Sequence, residues 1–143
     1  MSLKFEPKAK YIFNFGWEHG RYGDYWSFVH VLTGIIFGIG ATYFQFEFWW
    51  SFWIVLALLT IYEAWEFFAG IVEDFENALT DIVVGQIGFL AGFIYVEQYA
   101  DPRLVAYVFS EVCVLALLML SIGYRKFLKR RIREAKEARR RGH

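Results

Sequence analysis

Positive charge is missing from the middle of this chain. Between Tyr22 and Pro102 there are ten Asp or Glu and no Lys or Arg, although the 143 residues carry fifteen of each sign overall. A nucleic-acid-binding domain spreads basic residues over a folded surface. Here they sit in the two tails, with Arg103 the one exception, so nucleic acid is not an expected partner. Cysteine is as scarce: Cys113 stands alone in an apolar run, which excludes an intramolecular disulfide and makes the thiol structural. Histidine is limited to His19, His30 and His143. There is no HExxH and no paired Glu-x-x-His, so a di-iron carboxylate bundle lacks its histidines, and a bis-histidine haem lacks a plausible pair. No phosphate-binding loop or nucleophile elbow is present. The first twenty residues have no apolar h-region, and no cleavable signal peptide is expected.

What is abundant is apolar. A hydrophobic fraction of 57%, with 22% aromatic residues, exceeds the roughly 45–50% of soluble domains. The expected fold class is all-α: one domain, a four-transmembrane-helix bundle with an amphipathic N-terminal segment and a basic C-terminal helix. Residues 1–21 mix Lys4, Lys8, Lys10 and Arg21 with aromatics, as an interfacial segment on an anionic leaflet does. The membrane domain, residues 22–124, divides into crossings at about 26–46, 49–70, 78–96 and 104–124, each near the ~20 residues that span the hydrocarbon. Residues Glu47 to Trp50 read as a short turn, and Trp49, Trp50 and Trp53 as an interfacial belt. EQYADPR, residues 97–103, reads as the turn into the last crossing. The tail, residues 125–143, holds ten basic residues against two acidic ones. Such a segment stays on the cytoplasmic side and binds anionic headgroups. Four crossings then put both termini in the cytoplasm of an inner-membrane protein.

Small residues mark the packing faces. Gly34, Gly38 and Ala41 form one such face in the first crossing. In the third, Asn77, Asp81, Gly85, Gly88 and Gly92 fall on one side of a helix, two polar groups continuing into three glycines. That face belongs against protein, not lipid.

The polar groups converge in depth. At about 1.5 Å rise per residue, His30, Glu63, Glu66 and Asp81 all lie roughly 5–10 Å inside the same end of the first three crossings. An ionisable group in hydrocarbon costs at least about 2.5–3.5 kcal/mol. The compensation comes from protons, a bound cation, or Arg21, Arg125 and Lys126 reaching in from the tails. His30, Glu63, Glu66 and Asp81 are therefore candidate metal-binding or acid/base residues, with Asn77 supporting them. Hard oxygens with one imidazole suit Mg, Mn or Ca, or a mixed Zn or Fe site. Each residue also has a plainer role: His30 bonding a neighbouring helix, Glu66 reaching water, and Glu73, Asp74 and Glu76 forming a solvated loop. Glu111, in the middle of the fourth crossing, reads as an inter-helix hydrogen-bond donor or as part of the site.

His30 followed by Thr33-Gly34, then Tyr62-Glu63-Ala64-Trp65-Glu66-Phe67, then Asn77-x-x-x-Asp81-x-x-x-Gly85-x-x-Gly88 together resemble the VanZ-like small membrane proteins of unknown function. The resemblance covers roughly residues 28–92, with Glu-x-x-Glu in place of Glu-x-x-Gln and with Asp and Asn in reversed order. It implies a four- or five-helix inner-membrane protein with a lipid- or envelope-related role. The leading expectation is an acidic cation- or proton-binding pocket open to the cytoplasm. One alternative is a metal-assisted membrane enzyme acting on lipid headgroups, with Glu63, Glu66 and Asp81 as ligands or acid/base groups and His30 as proton carrier. Another is a non-catalytic accessory or scaffold subunit of a membrane complex. Expected partners are membrane lipids and either a second copy or a complex subunit.

Overall fold

The computed structural model describes residues 24–68, 75–99 and 101–141. The expected interfacial segment 1–21, the residues Glu73 and Asp74 and the last two residues of the second crossing lie outside that range. Four helices follow one another: α1 (Tyr25–Tyr43), α2 (Phe48–Phe68), α3 (Phe75–Gln98) and α4 (Pro102–Arg141), with no strand among the described residues. All four are long and apolar enough to cross a membrane. The chain is a multi-pass membrane protein.

Each helix end has a local cause. Asp24 caps α1, its Oδ1 accepting from Trp26 N at 2.7 Å and Ser27 N at 3.3 Å, while Ser27 Oγ accepts from Asp24 N. That is a capping box. α1 stops in a Schellman turn: Phe46 N donates to Ala41 O, Gln45 N donates to Thr42 O, and Gln45 takes the left-handed conformation with φ 57°. Glu47 then caps α2 through Oε2, which accepts from Trp50 N at 3.0 Å. The turn is therefore at residues 44–47, not Glu47 to Trp50; Phe48, Trp49 and Trp50 already form the first turn of α2. Asp101 caps α4, accepting from Arg103 N at 2.9 Å, with Pro102 in the first helical position, where its missing N–H costs nothing.

The tightest packing is between α1 and α3, which run parallel. A Cβ at Gly34 would collide with Gly85 O, and one at Gly38 with Phe89 O; a Cβ at Gly88 would strike Val31 O, and one at Gly92 would strike Ile35 O. The two backbones touch, as small-residue faces permit. α2 packs on the adjacent side of α3 through Val55 and Leu59 against Phe89 and Phe93, with Phe48 and Phe52 beside them. Ring centroids in this aromatic cluster are 5.1–6.3 Å apart. Gln86 ties the same pair together, its Nε2 donating to Phe52 O at 3.1 Å. α4 rests on α1 and leaves most of its circumference exposed; Val105, Ala116 and Gly123 are its buried residues among those described. Between the last turn of α1, the end of α3 and the start of α4 lies an apolar groove of about 470 Å³, lined by Tyr43, Val96, Tyr99 and Phe109 among others.

The α1–α3 contact yields a test with an internal control. Gly88→Ala places a methyl group on the Val31 backbone, and overpacking of this kind costs about 1–3 kcal/mol. Gly40 has nothing within 4 Å of its Cβ position, so Gly40→Ala gains about 1 kcal/mol of helix propensity. Thermal unfolding in detergent is expected to move down for the first substitution and not for the second.

Candidate functional site

His30 is five residues from the start of α1, Glu63 five residues before the end of α2, and Asp81 six residues into α3. Alternating helix directions bring those three ends together, so the three side chains share one layer. All are buried, with 6%, 8% and 1% of their surface exposed.

Register sets the pairing. Gly34 lies over Gly85 and Gly38 over Phe89; one turn earlier in both helices, the same offset sets His30 over Asp81. His30 Nε2 is 4.0 Å from Asp81 Oδ2. α2 supplies the third group through a strict i, i+4 stripe of Ser51, Val55, Leu59 and Glu63, its four buried residues. The stripe packs on α3 and aims Glu63 at the imidazole, with Oε1 3.3 Å from His30 Nε2. One donor atom from each of the three residues fits within 4.8 Å of the others.

Two further residues shape the layer. Asn77 is fully buried one turn before Asp81, and its Nδ2 donates to Asp81 Oδ2 at 3.5 Å. This fixes which carboxylate oxygen faces the histidine. Tyr62 sets its ring edge-on to His30, with centroids 5.5 Å apart. Sequence reasoning named Tyr62 only within a motif and did not name Tyr62 or Gln86 as site residues, although both could have been found: Tyr62 adjoins Glu63, and Gln86 is a polar residue within an apolar span.

Of the four candidate ligands, the structure brings His30, Glu63 and Asp81 together. Glu66 is three residues beyond Glu63 and about 60° round the helix; it is half-buried and outside the group of three. Glu111 is not part of the site. It stands exposed on α4, which contributes none of the three donors. Arg21 lies outside the described residues.

The geometry gives two carboxylates and one imidazole in a buried layer between three helices. A divalent cation meets the charge of two carboxylates with a neutral histidine, and ligand bonds of about 2.0–2.6 Å need only small side-chain adjustments from these separations. The same atoms can instead hold a proton, since an imidazolium at 3.3 Å from a carboxylate is a charge-assisted pair.

No protein-family model, curated protein or solved structure matches the chain. The VanZ-like resemblance therefore rests on its short motifs alone.

Asn77→Ala removes a buried amide and the bond that orients Asp81. The expected loss is about 1–3 kcal/mol of stability, read by equilibrium unfolding in mixed micelles. Restoration by Gln is not expected, because the longer side chain displaces the amide from its position.

Proposed function

We propose that this protein binds a single divalent cation inside the membrane, using His30, Glu63 and Asp81 as ligands and Asn77 to orient Asp81. One observation carries the reading: three buried donors from three different helices converge within 4.8 Å. Helices that need only to pack have no use for three ionisable groups in one layer, where each is expensive. One nitrogen and two oxygen donors favour Mn, Fe or Zn over Ca, which takes six to eight oxygens. The site opens toward the cytoplasm on this reading. Fourteen basic residues in the two tails, against Arg103 alone on the other side, support that orientation. The VanZ-like motifs support a lipid- or envelope-related role.

The 3.3 Å separation of His30 and Glu63 favours a second reading, in which the same groups carry a proton and the protein couples proton occupancy to helix packing. A counter-charge supplied by the basic tails is the alternative to a bound cation.

Elemental analysis of purified protein separates these readings. The cation reading expects close to one equivalent of a transition metal after dialysis, reduced at least tenfold by Asp81→Asn or Glu63→Gln and retained by Glu66→Gln. Retention of metal by the two ligand substitutions, or metal-free wild-type protein that takes up none of Mn, Fe or Zn in titration, overturns it. In the second case, proton uptake measured in unbuffered detergent solution and abolished by His30→Ala supports the proton reading.

A further inference from the structure

Glu111 stands in an unusual place. The side of α4 that packs on the bundle carries Val105, Ala116 and Gly123; the other side presents Tyr107, Glu111, Val114, Leu118 and Ile122, all exposed. Glu111 is eight residues from Arg103 and fourteen from Arg125, the basic residues that bracket the apolar run. At 1.5 Å per residue it lies ~12 Å from one boundary and ~21 Å from the other, near the middle of the hydrocarbon. A glutamate side chain is too short to reach either surface. Among the described residues it has no hydrogen bond or ion pair, and no other exposed acid lies at mid-span. An intramembrane acid facing acyl chains is penalised even on the lenient insertion scale, and such residues face protein or a water-filled cavity.

We propose that this face of α4 is the contact between two copies of the chain, related by a two-fold axis along the membrane normal, with the two Glu111 side chains hydrogen-bonded to each other across it. A second copy suits the position better than a foreign helix for two reasons. Rotation about the membrane normal keeps every residue at its own depth, so Glu111 meets Glu111 without further adjustment. A pair of carboxyl groups is also self-complementary, one donating and the other accepting. The isologous contact that results is the commonest form of association. Val114, Leu118 and Ile122 continue the contact along the same stripe. The basic residues from Arg125 onward repel one another, so the two helices diverge beyond Ile122.

The test uses the full chain reconstituted in lipid vesicles. In a Cys113→Ser background, Leu118→Cys lies within about 20° of Glu111 around the helix, whereas Leu117→Cys lies about 120° away. Mild oxidation is expected to cross-link the first into a covalent dimer and not the second. Adding Glu111→Leu is expected to reduce the Leu118→Cys cross-link at least about fivefold, within the range that an inter-helix hydrogen bond commands in a membrane. Glu111→Gln keeps most of it, because an amide pair is also self-complementary. Leucine at a lipid-facing position leaves the fold intact, which far-UV circular dichroism checks. Equal cross-linking at both cysteines, none at Leu118→Cys in folded protein, or no effect of Glu111→Leu overturns the proposal.

Discussion

Direct backbone contact between α1 and α3 is the constraint on which the arrangement depends. Four glycines allow it: Gly34 and Gly38 on one helix, Gly88 and Gly92 on the other, each at a point where a side chain would meet the opposing main chain. Contact this close admits one register. A slip of a single residue would bring a Cβ-bearing position onto a carbonyl, so the helices cannot slide to relieve the cost of burying charge. The polar layer is held in place by backbone packing that begins one turn away.

That division runs through the whole bundle. At one end, His30, Glu63, Asp81 and Asn77 form the polar layer; at the other, Phe48, Phe52, Phe89 and Phe93 form an aromatic cluster. Between them, hydroxyl groups are satisfied within their own helices: Thr33 donates to Val29 O, Thr42 to Gly38 O and Thr60 to Leu56 O. Glu111 apart, polarity within the spans is concentrated in the layer or turned inward on the backbone. α2 takes part in both ends, through Glu63 at one and Phe48 and Phe52 at the other.

Much of this was legible in the residues. The stripe from Asn77 to Gly92 identified the inner face of α3, and all five of its residues are buried. Four spans followed from hydropathy, because a bilayer leaves few alternatives for an apolar run of ~20 residues. The pairing of His30 with Asp81 did not follow, because register depends on which carbonyl each glycine meets across the interface. Glu63 and Glu66 looked alike because they differ only by about 60° of helix rotation; the i, i+4 stripe back to Ser51 separates them. The first turn was misplaced because Gln45 bears no mark of the left-handed conformation, which Gly or Asn would have advertised. Glu111 was conspicuous by its chemistry, but a lone helix sequence does not say which way it turns.

α4 runs without a break from Pro102 to Arg141, a rod of roughly 60 Å. It has no joint at which the part beyond the bilayer can reorient on its own. A lean of about ten degrees in its lower turns would sweep the far tip through roughly 10 Å. The basic segment therefore has no hinge of its own, and any tilt of α4 at the bundle is carried undiminished to its tip.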